Sequence, residues 1–350
     1  MPPVPVFSPS RRGFHASVLV AASAAFPALR AQTRLEKPRI AIAVGGKAAF
    51  YYLPLTIAEQ LGFFKAEGLE VEISDFSGGA RALQAVVGGS ADVVSGAYEH
   101  TINLQSKSQF FQSFVLQGRA PQIAMGISTK AMPGYQSLAD LKGKKIGVTA
   151  PGSSTNMMAN LLLSRVGLKA SDVSYIGVGT SAGALAALRS GQIDAMSNID
   201  PVMTMLEQKG EVKIVSDTRT LKGTLDVFGG PMPAACLYAP LDFIQKNPNT
   251  TQALANAIVH SLKWLQTAGP SDIIKTVPEA YLLGDRALYL ASFNKVREAI
   301  SLDGMLPEDG AKTALKALAS FDPSVKPEKI DLAKTFTNEF ARKAKEKFKA

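Results

Sequence analysis

An internal repeat constrains the fold of this chain more than any other feature of its sequence. Residues 82–93 and 184–195 align without gaps at an offset of 102, with Gly89 matching Gly191 and Asp92 matching Asp194. Around this match each copy reads as a strand, a polar turn, a helix and a second strand. Two copies are too few for a solenoid, which needs at least three to bury a continuous core. The repeat therefore predicts two similar βαβ units, one in each of two lobes.

The ends of these predicted strands indicate a binding cleft. In open α/β sheets, ligands bind outside the carboxyl ends of the strands, where loops lead into helix N-termini. The first unit offers residues 77–79 and 96–99 at such ends, and the second offers residues 179–181 and 198–200. If the two lobes face each other, these loops line one cleft, which is the layout of a binding protein.

Two further strand-to-helix turns carry candidate ligand contacts. Phe50 and Tyr51 follow the predicted strand Arg39–Val44, and they could stack on a planar ligand or brace the next helix, so both interpretations stay open. Residues 151–155 (PGSST) place three hydroxyl side chains at a predicted helix N-terminus, which is a ready anion site. A helix N-cap would need only one of them, so we favour a ligand role.

Charge and cysteine content exclude several other classes of protein. The formal net charge is +9, but the basic run at residues 342–349 fits a solvated amphipathic helix better than a nucleic-acid site. Cys236 is the only cysteine, so no intrachain disulfide exists. Beyond the first 31 residues the only histidines are His100 and His260. They do not have the spacing of metal ligands. We predict no nucleic-acid partner, no metal and no cofactor.

The first 31 residues resemble a twin-arginine export signal. Arg11 and Arg12 precede Phe14 and an apolar run of small residues at 16–28, and this run is too short to span a membrane. Cleavage near Ala31 would leave the mature protein in the periplasm.

One motif points to an enzyme instead. Residues 179–183 match the G-x-S-x-G nucleophile elbow of serine hydrolases, between a predicted strand and helix. A hydrolase would use Ser181 as its nucleophile, and His260 is the only histidine that follows it. The equivalent turn of the first unit, residues 76–80, also contains glycines but lacks the full motif. The shape of the turn is therefore enough to explain the glycines at residues 179–183. We predict that the protein is not an enzyme, with the hydrolase as the less favoured alternative.

Three segments together resemble a known family. They are LPLTIAEQLGFFKAEGLEV at 53–71, DLKGKKIGV at 140–148 with PGSS at 151–154, and GQIDA at 191–195. They are similar to the substrate-binding proteins of ABC importers for nitrate, sulfonate, taurine and thiamine-pyrimidine precursors, the NMT1/THI5-like family. The related pyrimidine-forming enzymes carry a cysteine cluster that this chain lacks.

The resemblance implies a fold and a mechanism. The fold is α/β, a two-lobed periplasmic-binding-protein fold (type II-like) in which two crossover segments form the hinge. Residues 32–127 and 234–350 would form a discontinuous lobe 1, and residues 128–233 would form lobe 2, with a crossing at residues 130–145. The lobes would close around a small solute and present it to a permease in the inner membrane. The protein itself is expected to be a monomer.

The same resemblance gives the expected ligand contacts. They are Phe50, Tyr51, Ser77, Gly78, Gly79, Tyr98, Glu99, Gly152, Ser153, Ser154, Thr155, Asp200 and Gly229. Glu99 and Asp200 would repel a purely anionic ligand, so either they point away or the ligand also carries N–H or ammonium groups. The expected solute is small and polar or anionic, of the sulfonate, taurine or nitrate type. An aminopyrimidine is the alternative, and a periplasmic sensor partner would have the same cleft.

Overall fold

The computed structural model describes Met1–Val6 and Arg34–Ala350. Most of the predicted export signal, from residue 7 onward, lies outside the described residues. Arg34–Ala350 forms one compact unit. None of the helices in the described part of the chain combines the length and apolar character that a membrane span requires.

Two five-stranded sheets organise this unit. In chain order the strands are β1 (Arg39–Val44), β2 (Glu70–Asp75), β3 (Val93–Ala97), β4 (Phe111–Leu116), β5 (Ile123–Ser128), β6 (Lys145–Val148), β7 (Ser174–Gly177), β8 (Ala195–Ile199), β9 (Val212–Asp217) and β10 (Ala235–Pro240). The first sheet has the order β2-β1-β3-β10-β4 and the second the order β7-β6-β8-β5-β9. The sheets share one topology, and each forms the centre of one lobe.

Helices cover both sheets. In chain order they are α1 (Leu53–Gln60), α2 (Phe63–Ala66), α3 (Gly79–Val87), α4 (Glu99–Gln105), α5 (Ser154–Ser164), α6 (Ala182–Arg189), α7 (Val202–Gln208), α8 (Leu221–Phe228), α9 (Leu241–Lys246), α10 (Pro248–Thr267), α11 (Pro270–Thr276), α12 (Arg286–Val296), α13 (Glu308–Ala319) and α14 (Glu339–Phe348). Most of them bury an apolar face against a sheet or a neighbouring helix, which supplies the main stabilisation of the fold.

The predicted twin βαβ units are confirmed, and the matched residues make equivalent contacts in both units. The Asp92 carboxylate accepts a hydrogen bond from the Ala41 backbone N–H at 3.0 Å, and the Asp194 carboxylate accepts one from the Lys145 N–H at 2.8 Å. Each aspartate thereby fastens its second strand to the start of the central strand beside it. Gly89 and Gly191 have φ angles of 77° and 75°, a left-handed conformation that glycine adopts without steric cost.

The chain crosses between the lobes twice, and the first crossing lies earlier than predicted. β4 belongs to the first sheet, but β5 already pairs with β8 and β9 in the second. The crossing therefore occupies residues 117–122, and its predicted position at 130–145 was wrong. An apolar run such as β5 fits the interior of either sheet, so periodicity alone could not assign it. The second crossing runs through residues 229–234.

The two crossing segments lie side by side and form the hinge. The N–H groups of Gln117 and Gly118 both donate to the Ala235 carbonyl, at 2.7 and 2.9 Å, and the Ala234 N–H donates to the Gly118 carbonyl at 2.9 Å. These backbone bonds fix the lobes to each other at one edge.

The C-terminal segment from residue 330 is helical only over Glu339–Phe348, after a short 3₁₀ turn. Its first part instead extends the edge of the first sheet, because the Ser113 N–H donates to the Thr335 carbonyl at 2.9 Å and the Thr337 N–H donates to the Ser113 carbonyl at 2.8 Å. Residues 234–350 were expected to belong to lobe 1, but they also contact the second lobe, because α12 contacts α7 and α13 contacts α5 there.

The aspartate contacts give a stability prediction. Replacing Asp194 by Ala leaves the Lys145 N–H without its carboxylate acceptor, and a hydrogen bond to a charged group contributes about 1.5–3 kcal/mol. We expect Asp194→Ala to lower the free energy of unfolding in urea by that amount. Asp226→Ala, on the exposed face of α8, is the control and should change it by less than about 0.5 kcal/mol. Equal effects of the two substitutions would contradict this role of Asp194.

Candidate functional site

The two lobes touch at the carboxyl ends of their strands. The Phe50 N–H of the first lobe donates to the Asp200 carbonyl of the second at 3.2 Å. The Ala80 N–H at the start of α3 donates to the Ser153 hydroxyl oxygen before α5 at 2.9 Å. The loops that the sequence predicts to line a cleft therefore meet across it, in a closed arrangement.

Gly78 marks the tightest approach of the α3 turn to the second lobe. A Cβ atom on Gly78 would lie 2.7 Å from the Cβ of Ala150, which is closer than real Cβ contacts come. The φ angle of Gly78 is 177°, an extended conformation that any residue adopts. This glycine is therefore required by the closeness of the lobes and not by its own backbone.

Two small adjoining cavities, of about 30 and 20 Å³, lie between the lobes. They share Tyr51, Ile123 and Ser154, and we refer to them together as the cleft cavity. A water molecule occupies roughly 30 Å³ of liquid volume, so in this closed arrangement the cleft cavity has room for water-sized groups. An organic solute would need the lobes to separate slightly.

The polar side of the cleft cavity is formed by Tyr51 and Glu99 of the first lobe. Their side chains are 4% and 5% exposed, and within the described residues the Tyr51 hydroxyl and Glu99 Oε2 have no hydrogen-bond partner. The Ser154 hydroxyl of the second lobe lies near both oxygens without a hydrogen bond of normal geometry. Burial raises the pKa of both Glu99 and Tyr51. Each unpaired buried group costs about 1–3 kcal/mol, a cost that a ligand could remove.

A second polar part of the cavity lies at the N-terminus of α5. Ser153, Thr155 and Gly79 line it, but the Thr155 hydroxyl accepts a hydrogen bond from the Thr149 N–H at 3.0 Å. The Ser153 hydroxyl already accepts a hydrogen bond from the Ala80 N–H of the first lobe. Of the three predicted hydroxyls, Ser154 is therefore the one that faces the cavity without a fixed partner among the described residues.

An apolar wall, which the sequence interpretation missed, completes the cavity. It consists of Pro121, Ile123, Met157, Met158, Leu161, Phe228, Met232, Ala234, Ala317, Leu318 and Phe321. Met157, Met158 and Leu161 follow Ser154 at helical spacing, three, four and seven residues on, so their shared face could have been predicted. Leu318 and Phe321 come from the end of the chain, and no local pattern places them here.

Six predicted site residues line the cleft cavity: Tyr51, Gly79, Glu99, Ser153, Ser154 and Thr155. The others do not. Ser77, Gly152 and Gly229 are exposed loop positions, and Gly78 contacts the opposite lobe.

Phe50 and Tyr98 were predicted to contact the ligand, but the structure uses both in the core. The Phe50 ring packs on Tyr289 with 4.4 Å between ring centroids, which decides between the two interpretations of Phe50 in favour of the packing role. The Tyr98 hydroxyl is 2.6 Å from the Thr335 hydroxyl, in a buried hydrogen bond. Both residues belong to the core of the first lobe, because α12 and residues 335–337 pack where a ligand was expected.

Asp200 was also expected beside the ligand, and its side chain points away. Its carboxylate accepts the Thr204 N–H at 2.7 Å and lies 3.6 Å from the guanidinium of Arg219, which is completely buried. Arg219 also pairs with Asp217 at 2.7 Å and Glu207 at 2.9 Å. Burial raises the pKa of Asp200, opposed by the positive charge of Arg219. Asp200 is thus part of a buried ion cluster that supports the loop, and only its backbone carbonyl reaches the other lobe.

Within Arg34–Ala350, the two hydrolase candidates Ser181 and His260 lie in different surroundings. Ser181 is exposed at the start of α6. His260 lies between the rings of Phe63 and Phe348, with ring centroids 3.8 and 4.6 Å away, so its two faces are covered. In the described residues no cluster of His, Cys, Asp or Glu is arranged to hold a metal ion.

The buried carboxyl of Glu99 gives a pH prediction. Because burial raises its pKa above 4.5, the folded state binds this proton more tightly than the unfolded chain does. Stability therefore falls as the pH rises from about 4.5 through the folded-state pKa. Glu99→Gln removes the titrating carboxyl, so in urea unfolding the stability of the variant relative to the wild type should increase as the pH rises above about 4.5.

The control is Glu72→Gln, which replaces an exposed carboxyl of strand β2, and the pH-dependent difference for Glu99→Gln should exceed the difference for this control. A Glu99→Gln difference that stays constant as the pH rises would show that Glu99 does not titrate as a buried group.

Comparison with known proteins places this chain in a family. The family model described as NMT1/THI5 like matches residues 49–270. A solved structure from Bordetella bronchiseptica RB50 is 63% identical, with a TM-score of 0.90, covering 91% of this chain and 100% of that chain. The alkanesulfonate-binding protein SsuA from Xanthomonas axonopodis pv. citri, bound to MOPS, is 17% identical with a TM-score of 0.66, covering 87% and 100%. It shares the two-lobed fold.

Two relatives carry names with different implications. A Brucella abortus (strain 2308) protein, named only as a binding protein, is 26% identical over 254 residues, 71% of this chain and 73% of its own. The 4-amino-5-hydroxymethyl-2-methylpyrimidine phosphate synthase of Schizosaccharomyces pombe is 26% identical over 225 residues, 63% of each chain. The two-lobed fold, the cleft between its sheets and the family match lead to one conclusion: this chain belongs to the NMT1/THI5-like family.

Proposed function

We propose that this protein is the solute-binding component of an ABC importer, exported to the periplasm, which closes its lobes around a small organic solute for an inner-membrane permease. The observation that carries this proposal is the meeting of polar groups from both lobes in one buried cavity: the Tyr51 hydroxyl and Glu99 Oε2 of one lobe, which have no hydrogen-bond partner among the described residues, and Ser154 of the other lobe. A solute that binds these groups stabilises the closed state, because it contacts both lobes only when they are closed. Its Brucella relative, named as a binding protein, supports this function.

The charges around the cavity narrow the solute class. The N-terminus of α5, an eleven-residue helix, favours an acidic group near Ser154 through its partial positive charge. The Glu99 carboxyl favours N–H or ammonium groups and disfavours a second anion. Among sulfonates, taurine and nitrate, a taurine-type zwitterion therefore fits better than nitrate or a simple alkanesulfonate.

An aminopyrimidine is the second candidate. Its amino group would donate to Glu99, and its flat ring would lie against the apolar wall that includes Met157 and Phe228. The name of the Schizosaccharomyces pombe relative, whose product is an aminopyrimidine phosphate, favours this candidate.

The role of Glu99 is tested by a matched pair of solutes. Taurine differs from ethanesulfonate only by its amino group, so we expect taurine to raise the melting temperature of the wild type and ethanesulfonate to raise it less. In Glu99→Gln the ratio of the ethanesulfonate Kd to the taurine Kd should fall by tenfold or more. A tenfold change corresponds to about 1.4 kcal/mol. 4-Amino-5-hydroxymethyl-2-methylpyrimidine tests the second candidate in the same assay. Stabilisation by none of the three would contradict the proposed solute class.

The closure mechanism is tested by Gly78→Ala. The added methyl group meets Ala150 of the opposite lobe but places no strain on the backbone, so we expect it to hold the cleft open. The Kd of the solute that stabilises the wild type should rise at least tenfold, with the midpoint of urea unfolding nearly unchanged. Gly134→Ala is the matched control, because an added Cβ there has no heavy atom within 4 Å. Unchanged affinity in Gly78→Ala would argue against closure.

A further inference from the structure

A second cavity, of about 570 Å³, lies beside the hinge and shares no lining residue with the cleft cavity. This volume is within the range of small-molecule sites, about 300–1,000 Å³. Its walls come from four parts of the fold: Arg119 on the first crossing segment, Thr220 before α8 in the second lobe, residues 262–266 on α10, which packs on the first sheet, and residues 294–302 at and after the end of α12. We refer to it as the hinge cavity.

Positive charge predominates in the hinge cavity. Arg119, Lys295 and Arg297 line it, with Glu298 as the one carboxylate among the lining residues. Lys295 is paired with Glu207 at 2.6 Å. The carboxylate of Glu298 accepts the Leu221 N–H at 2.9 Å, so it is directed to the start of α8.

The two arginines have no carboxylate partner among the described residues. Arg119 donates through Nε to the backbone carbonyl of Glu298 at 2.8 Å, which leaves its two terminal nitrogens available. Arg297 donates through one terminal nitrogen to three backbone carbonyls, the shortest contact being 3.1 Å to Gln266. These carbonyls hold the guanidinium groups in place but carry no formal charge to neutralise them. Oriented guanidinium groups of this kind bind acidic groups well.

The uncharged part of the wall is half apolar by residue, with Leu262, Leu265, Ile300 and Leu302 beside four polar residues. Leu262, Leu265 and Ile300 are buried, and Leu302, which is 50% exposed, supplies most of the accessible apolar surface. An apolar surface beside two unpaired arginines suits a molecule that has both an acidic group and a hydrocarbon part. Inorganic anions would use only the arginines.

We propose that the hinge cavity binds an amphipathic organic anion, with its acidic group at Arg119 and Arg297 and its hydrocarbon part on Leu302. This ligand chemistry differs from that of the cleft, where Glu99 favours a solute that also carries an N–H or ammonium group. The site does not depend on the identity of the cleft solute.

The position of the cavity couples it to closure. The Arg119 N–H donates to the Ala299 carbonyl at 2.8 Å, and the Ser301 N–H donates to the Gln117 carbonyl at 2.9 Å, so the wall at 297–302 is bonded directly to the hinge. The bond from Leu221 to Glu298 links the same wall to the second lobe. An anion that fits these walls in the closed arrangement stabilises that arrangement, and by linkage it raises the affinity of the cleft for its solute.

Calorimetry with octanoate as the probe tests the site in the purified protein. We expect octanoate to bind, and octanol and octylamine, which have the same chain without the negative charge, to bind at least tenfold more weakly. Arg119→Gln should weaken octanoate binding at least tenfold, and Arg119→Lys should retain part of it. Lys312→Gln removes an exposed lysine of α13 and is the control. Equal binding of octanoate and octanol, or unchanged binding in Arg119→Gln, would overturn the proposal.

Small-angle scattering tests the coupling separately. Octanoate without a cleft solute should decrease the radius of gyration of the wild type, and it should not do so for Arg119→Gln. Binding of octanoate to the wild type with an unchanged radius of gyration would overturn the coupling to closure. If the cleft solute fails to bind in any assay while octanoate still closes the protein, the proposed importer function fails and the hinge site does not.

Discussion

The hydrogen bonds between the two crossing segments are the interaction on which this architecture depends. β5 enters the second sheet directly after the first crossing, and β10 enters the first sheet directly after the second crossing. Each sheet therefore contains a strand that directly follows a crossing from the other lobe. The hydrogen bonds from Gln117 and Gly118 to Ala235 hold the two crossing segments together. The lobes are fixed at this edge, so the motion left to them is rotation about it.

Both cavities follow from this constraint. The cleft cavity is lined by Ile123 and Ala234, which come directly after and within the crossings, and the hinge cavity is lined by Arg119 within the first of them. A rotation about the hinge must change the shape of both. Two chemically different sites, one with a buried carboxyl and one with unpaired arginines, can for this reason respond to a single motion.

The repeat in the sequence predicted the topology because it rests on local chemistry. In each unit the left-handed glycine, Gly89 or Gly191, lies three residues before the aspartate, Asp92 or Asp194. This spacing can be read directly from the sequence. Tyr51, Glu99 and Ser154, which line the cleft cavity, were predicted as candidates in the same way, since each lies where a strand leads into a helix. Loops at the carboxyl ends of strands are short, so their positions follow from the strands.

Long-range contacts account for what the sequence could not predict. Glu99 and Asp200 occupy nearly equivalent places in the two units, yet only Asp200 meets a buried arginine, Arg219, that α7 and β9 bring beneath it. Likewise, Tyr98 turns to Thr335 and the cleft wall includes Phe321, because the end of the chain packs back against both lobes. Helical periodicity shows that α13 has an apolar face, but not which surface that face covers.

The small size of the cleft cavity and its unpaired polar groups together explain how a solute could control closure. In the closed arrangement the Tyr51 hydroxyl and Glu99 Oε2 have no hydrogen-bond partner among the described residues, and a buried polar group without a partner costs about 1–3 kcal/mol. A solute that hydrogen bonds to both groups would remove the penalty, whereas a solute that satisfies only one would leave much of the population open. Selectivity would then come from pairing these two oxygens and from the fit to the apolar wall, because a closed state with either oxygen unpaired remains costly.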